Sequence, residues 1–129
     1  MPVRILLIDD NLDAVTSLAR VLTARYGHEV RCISDERMAL DIAGEFKPDS
    51  ICLDIGMPHI DGYTLAKLLR RMLALKDCRI VAMSGHAADP ERLALAGIDQ
   101  HLLKPVASSA LANALGCSET NSGRGAAGK

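Results

Sequence analysis

Five short runs of mostly apolar residues recur along the chain, and a helical pattern follows each of them. The runs cover residues 3–8, 29–33, 50–53, 79–83 and 100–103. The first run is nearly continuous in apolar residues, which is typical of a strand that is covered on both faces. Alternating strands and helices predict a parallel sheet with helices on both sides, because each parallel strand needs a crossover connection. We therefore expect an α/β fold of five strand–helix units.

The segments between these runs have apolar residues at the spacing of one helical face. The predicted helices cover residues 12–26, 38–46, 65–72, 90–97 and 108–115. Asp89 and Pro90 suit the start of the fourth helix, and Gly97 and Gly116 suit the ends of the last two. The Gly/Ser/Ala-rich sequence that follows has no periodicity. We predict one domain over residues 1–116 and a disordered Gly/Ser-rich tail over residues 117–129.

The composition excludes several classes of function. With 15 Lys+Arg, 16 Asp+Glu and a net charge of -1, the chain is not held on nucleic acid by bulk electrostatics. No apolar stretch approaches the roughly 18 residues of a membrane span, which predicts no membrane insertion. The 4 cysteines form no CxxC pair, so we expect reduced thiols and a cytoplasmic location.

Polar residues stand where four of the five predicted strands end. In an open α/β sheet the carboxyl ends of the strands form the edge at which ligands bind. The residues are Asp9 and Asp10 after the first run, Asp54 after the third, Ser84 after the fourth, and Lys104, which precedes Pro105, after the fifth. Three carboxylates at one edge repel one another, and a hard divalent cation such as Mg2+ relieves that repulsion. These residues therefore predict a magnesium site.

A carboxylate beside Mg2+ and a lysine favours phosphoryl chemistry. Such a carboxylate can attack phosphorus to form an aspartyl phosphate, while the cations offset charge on the transferring oxygens. Asp54 is the best candidate nucleophile, because a tight turn over residues 55–58 follows it and Gly56 leaves its carbonyl accessible to a metal. Each of these residues alone also has a structural explanation as a cap, a turn residue or a solvated lysine. Their joint occurrence at four strand ends favours a site.

Four motifs resemble those of the response-regulator receiver domain of two-component signalling. They are Leu7-Ile8-Asp9-Asp10-Asn11, Leu53-Asp54-Ile55-Gly56-Met57-Pro58 with Asp61-Gly62-Tyr63, Met83-Ser84-Gly85, and Leu103-Lys104-Pro105. The resemblance covers residues 3–115 and implies a flavodoxin-like, doubly wound (βα)5 parallel sheet with strand order 2-1-3-4-5. The sequence of residues 53–62 and 96–106 is most similar to that of receivers joined to hybrid histidine kinases.

The resemblance implies a phosphoacceptor and its metal ligands. Asp54 would accept a phosphoryl group from a histidine kinase or a histidine phosphotransfer protein. Asp10 would bind Mg2+ directly and Asp9 mainly through water. Asp54 and the Gly56 carbonyl would complete the protein ligands.

The resemblance also implies a phosphoryl-binding and switch group. Ser84 and Lys104 would hold the phosphoryl oxygens, and the peptide bond between Lys104 and Pro105 would be cis. In this family an aromatic residue on the fifth strand turns inward on phosphorylation, and here that position holds His101. Two interpretations of His101 stay open. It is either a plain surface residue or an ionisable switch that makes activation pH-sensitive.

The expected function is phosphoacceptor signalling with output through contacts to a downstream protein that the sequence does not identify. Such a chain is not an enzyme on a separate substrate, since it catalyses only its own phosphoryl transfer and autodephosphorylation. Two alternatives are a degenerate receiver that acts as an unphosphorylated binding platform and a receiver separated from a hybrid histidine kinase. A phosphatase of the haloacid dehalogenase kind is disfavoured, because it needs Asp-x-Asp after the first strand, whereas Asp9 and Asp10 are adjacent.

Overall fold

The computed structural model describes residues 3–56, 60–72, 75 and 77–116. Within these residues, five parallel strands form one sheet with the order β2-β1-β3-β4-β5. The strands are β1 (Arg4–Ile8), β2 (Glu29–Ile33), β3 (Ser50–Asp54), β4 (Arg79–Ser84) and β5 (Gln100–Leu103). The predicted doubly wound fold is confirmed. The predicted tail, residues 117–129, lies outside the described residues.

Helices connect successive strands and cover both faces of the sheet. They are α1 (Leu12–Tyr26), α2 (Ala39–Phe46), α3 (Gly62–Arg71), α4 (Pro90–Leu95) and α5 (Ser108–Ala114), and a 3-10 turn at Glu36–Met38 precedes α2. α3 begins at Gly62 rather than at the predicted residue 65. The prediction started too late because it followed apolar residues, and a glycine in the first turn does not contribute to such a pattern. α4 ends at Leu95, and Gly97 follows in the left-handed region with φ 77.

The sheet separates two apolar clusters. Leu6, Ile8, Ile51 and Leu53 face α2, α3 and α4, whereas their neighbours along β1 and β3 face α1 and α5. All residues of β3 are buried, so this strand is the centre of the core. None of the helices in the described ranges has the length and hydropathy that crossing a membrane requires.

A buried histidine lies at the amino-terminal edge of the sheet. His28 Nδ1 accepts a hydrogen bond from the Val3 backbone N–H at 3.1 Å, and its ring stacks on Tyr26 with 6.4 Å between centroids. Because Nδ1 accepts, the neutral ring carries its proton on Nε2. Burial lowers the pKa of His28 below its usual value.

We expect His28 to make the protein less stable in mild acid. Below about pH 6.5 the unfolded chain binds a proton that the folded chain resists, so this contribution is lost as the pH falls through the lowered folded pKa of His28. In urea unfolding between about pH 7.5 and 5.5, His28→Asn should lose less stability than the wild type. His86→Asn, at an exposed histidine, is the control. Equal acid dependence of wild type and His28→Asn would contradict the prediction.

Candidate functional site

The site lies at the carboxyl edge of the sheet, where strand register brings its residues together. β1 and β3 pair in register up to their last apolar residues, so Asp9 and Asp54 leave the sheet side by side. Ser84 is the last residue of β4, and its carbonyl accepts a hydrogen bond from the Lys104 backbone N–H at 2.8 Å. Residues that are distant in sequence therefore share one edge because the strands are parallel and end together.

Two buried carboxylates are oriented by the same local turn. Asp9 Oδ1 accepts a hydrogen bond from the Asn11 backbone N–H at 2.9 Å, and Asp54 Oδ1 accepts one from the Gly56 backbone N–H at 2.8 Å. Asp9 and Asp54 are 1% and 7% exposed, whereas Asp10 is exposed. One carboxylate oxygen from each of the three lies within 4.8 Å of the others. The backbone contacts of Asp9 and Asp54 leave these two carboxylates little freedom to move apart.

Lys104 joins the two buried carboxylates. Its Nζ donates to Asp9 Oδ2 at 2.8 Å and to Asp54 Oδ2 at 2.9 Å. Burial raises the pKa of Asp9, and the hydrogen bonds from Lys104 and Asn11 only partly oppose that rise. Burial lowers the pKa of Lys104, but its hydrogen bonds to Asp9 and Asp54 outweigh this effect and raise it overall. The ammonium therefore stays charged where two carboxylates converge.

The Asp61-Gly62-Tyr63 segment supports the turn after β3. A Cβ on Gly62 would lie 2.3 Å from the Ile55 Cα, so only glycine lets α3 start this close to the residue after the central carboxylate. The Arg92 guanidinium lies 3.9 Å above the Tyr63 ring, and its Nη2 is 3.4 Å from Asp61 Oδ2. These contacts attach α4 to the start of α3.

Ser84 and His101 are in direct contact. The Ser84 hydroxyl donates to the His86 carbonyl, and its Oγ lies 2.7 Å from His101 Nε2. His101 pairs with Ala82 in the β4–β5 register, so Ser84, two residues further on, is on the same face of the sheet. His101 is half-buried. Residue types alone did not predict this bond, because it depends on the register.

The structure brings together most of the predicted site residues. Asp9, Asp10, Asp54 and Lys104 form one cluster, and the peptide bond from Lys104 to Pro105 is cis. Gly56 follows Asp54 at the edge of the cluster, and the role of its carbonyl as a metal ligand stays a prediction. Residues 57–59 of the predicted turn lie outside the described part of the chain.

Sequence reasoning missed a buried carboxylate beside this edge. Glu36 is 1% exposed, and its Oε2 accepts a hydrogen bond from the Ile60 backbone N–H at 3.3 Å. The bond connects the 3-10 turn after β2 to the segment before α3. A single glutamate next to an arginine looks like ordinary surface sequence, so no signal in the residues marked it.

Comparison with known proteins agrees with this fold. A family model described as the response regulator receiver domain matches residues 5–116. The chain belongs to this family, and it is a receiver domain of two-component signalling.

Curated relatives include a response regulator and a transcriptional regulator. Response regulator MprA of Mycolicibacterium vanbaalenii is 38% identical over 109 residues, which are 83% of this chain and 46% of that protein. Transcriptional regulatory protein PrrA of Mycobacterium tuberculosis is 38% identical over 104 residues, covering 79% and 43%. The chain thus spans less than half the length of these relatives. The closer likeness to receivers of hybrid histidine kinases stays a prediction.

Solved structures share the architecture. The chemotaxis response regulator CheY4 of Vibrio cholerae has a TM-score of 0.82 at 24% identity, covering 90% of this chain and 98% of that one, which shows the fold. A response regulator from Burkholderia pseudomallei has a TM-score of 0.79 at 31% identity, covering 87% and 65%. That structure is described as holding a phosphorylated aspartic acid, a calcium ion and citrate.

Removing the Lys104 ammonium should destabilise the folded protein. In the absence of divalent ions, Lys104→Met leaves two buried carboxylates without their shared donor, and we expect a loss of about 1–3 kcal/mol at neutral pH. Lys67→Met, at an exposed lysine of α3, should change stability by less than about 0.5 kcal/mol. Urea unfolding of both variants measures the difference. A Lys104→Met variant as stable as Lys67→Met would show that the bridge contributes nothing.

Proposed function

We propose that this receiver is a phosphoacceptor, and that Asp54 takes a phosphoryl group from the phosphohistidine of a histidine kinase or a histidine phosphotransfer protein. The main support is the Lys104 ammonium, which bonds both Asp54 and Asp9 at the end of the central strands. A cation is thereby already in place beside the carboxylate that would carry the phosphoryl group.

The carboxylate cluster fits Mg2+ chemically. Mg2+ prefers a few carboxylate oxygens with water and phosphate oxygens as its remaining ligands, and three carboxylates here each offer an oxygen within 4.8 Å of the others. Asp10, Asp54 and the Gly56 carbonyl would hold the ion directly, and Asp9 mainly through water. When bound, Mg2+ supplies positive charge that stabilises the transferring phosphoryl oxygens.

The protein's own residues account for the positioning of the transfer. The Gly56 N–H fixes one oxygen of Asp54, and Lys104 holds the other. An Asp54 oxygen forms a bond to phosphorus as the bond from phosphorus to the donor imidazole breaks, and the electron pair leaves with that imidazole. Lys104 and Ser84 donate hydrogen bonds to the phosphoryl oxygens. The chain is not an enzyme on a separate substrate, since it promotes only its own phosphorylation and autodephosphorylation.

A phosphorylated relative supports the same assignment. The Burkholderia pseudomallei response regulator, 31% identical, is described with a phosphorylated aspartic acid and a calcium ion. A hard divalent cation and a phosphoryl group are the two components that the Asp54 cluster suits. We carry this chemistry over to Asp54 because it is the buried carboxylate at the end of the central strand.

The phosphodonor protein would dock on α1. A groove of about 460 Å³ between α1 and the loop after β5 reaches Asp9 and Lys104, and Leu18 and Val106 are among its lining residues. Leu12, at the start of α1, is 55% exposed and offers an apolar anchor on the same helix. Output would pass through contacts with a downstream protein in the cytoplasm, with no role for nucleic acid in this domain.

Phosphorylation should depend on Asp54. After incubation with acetyl phosphate and Mg2+, intact-mass measurement should show one phosphoryl group on the wild type and none on Asp54→Asn. Asp61→Asn, at an exposed carboxylate outside the cluster, is the matched control and should still be modified. An adduct that persists in Asp54→Asn would place the phosphoacceptor elsewhere. A wild type that takes no adduct and does not bind Mg2+ would indicate an unphosphorylated binding platform.

Mg2+ should stabilise the folded protein through Asp10. Binding to the folded state alone adds about 2.7 kcal/mol at a concentration 100 times the dissociation constant. We expect thermal unfolding to shift upward with Mg2+ in the wild type and much less in Asp10→Asn, which loses an exposed carboxylate of the cluster. Asp13→Asn, in the first turn of α1, should respond like the wild type. Equal responses of Asp10→Asn and Asp13→Asn would contradict the assignment.

A further inference from the structure

The hydrogen bonds of Ser84 determine which nitrogen of His101 carries a proton. Ser84 Oγ bonds both the His86 carbonyl oxygen and His101 Nε2, the latter at 2.7 Å. A serine hydroxyl has one proton and two lone pairs, and a carbonyl oxygen can only accept. The Ser84 proton therefore points to the His86 carbonyl. It follows that His101 Nε2 carries a hydrogen and donates it to Ser84 Oγ.

We infer that His101 is a positioning residue for phosphoryl transfer and acts through Ser84, an inference that rests on the proposed function. The His101 Nε2–H holds Ser84 Oγ by a lone pair, so the hydroxyl proton remains free to turn. It can exchange the His86 carbonyl for a phosphoryl oxygen on Asp54 while Ser84 keeps its bond to the ring. No covalent bond changes in this exchange. A hydrocarbon ring at position 101 has no N–H and cannot do this.

The ring is well placed for this role because it stands on the sheet. His101 pairs with Ala82 in the β4–β5 register. At the end of the same strand pair, the Lys104 backbone N–H donates a hydrogen bond to the Ser84 carbonyl at 2.8 Å. Ser84 is only 7% exposed, so its hydroxyl has few partners to choose from. A donor on a rigid strand holds a hydroxyl more closely than one on a loop would.

The exchange also reaches a surface segment. When the Ser84 proton leaves the His86 carbonyl, that carbonyl loses a bond at the start of the loop leading to α4. No residue of α4 is fully buried, and Leu93 is the member of this helix that packs, partly buried, against the core. The His101 N–H would keep the serine oxygen on the sheet while the bond to the His86 carbonyl is lost.

Two amide substitutions at position 101 test which nitrogen of the imidazole makes the contact with Ser84. A glutamine amide nitrogen reaches the position of His101 Nε2, whereas an asparagine amide reaches only that of Nδ1. With acetyl phosphate and Mg2+, we expect the rate of Asp54 phosphorylation to fall about three- to tenfold in His101→Asn, the loss of one orienting hydrogen bond. His101→Gln should restore it to within about twofold of the wild type. In a Ser84→Ala background, His101→Asn should have no further effect.

The outcomes separate this inference from the proposed function. Equal rates in wild type, His101→Asn and His101→Gln would overturn the positioning role, as would an undiminished effect of His101→Asn in the Ser84→Ala background. A wild type that takes no phosphoryl group would overturn the proposed function and this inference with it.

The ring itself reports on the contact without phosphorylation. In NMR spectra of the unphosphorylated protein, the His101 Nε2–H signal should exchange slowly in the wild type and quickly in Ser84→Ala. A ring with its hydrogen on Nδ1 and a bare Nε2 would overturn the hydrogen-bond assignment.

Discussion

The site depends on one ammonium group shared by two buried carboxylates. Asp9 and Asp54 end neighbouring strands, and burial at this edge makes two adjacent negative charges costly unless a cation lies between them. Lys104 supplies that cation from the far side of β4, at 2.8 and 2.9 Å from the two carboxylates. The strand order is what makes this reach possible. Because β3 is central and fully buried, its last residue is held where charged residues from the strands on either side of β3 converge.

The carboxyl edge of the sheet has a firmly held part around the shared ammonium and a less firmly held part at α4. Backbone N–H groups two residues further along hold Asp9 and Asp54, and glycine at position 62 lets α3 start directly against the turn after β3. α4 is attached differently, since none of its residues is fully buried and Leu93 packs only partly buried against the core. Arg92 joins its middle to Tyr63, and Arg70 donates to the Gly97 carbonyl beyond its end at 2.7 Å. Segments with so little burial open at low free-energy cost.

The fold and the carboxylate cluster were predictable because they depend on patterns that are visible in the amino-acid sequence itself. Apolar runs and helical spacing predict strands and helices, and parallel strands place their carboxyl ends at one edge. The bond between Ser84 and His101 was not predictable in this way. It requires the β4–β5 register, and a slip of one residue would put His101 on the opposite face. The burial of Glu36 and the start of α3 at Gly62 depend likewise on tertiary packing.

A crystal structure with Mg2+ and beryllium trifluoride, which mimics a phosphoryl group, would test directly whether Asp54 is the phosphoacceptor. We expect the trifluoride on an Asp54 carboxylate oxygen, with Lys104 Nζ and Ser84 Oγ within hydrogen-bonding distance of its fluorines. Ser84 should have left the His86 carbonyl and kept its bond to His101 Nε2. Trifluoride bound to another carboxylate, or no bound trifluoride with the Lys104 bridge unchanged, would contradict the assignment of Asp54 as the phosphoacceptor.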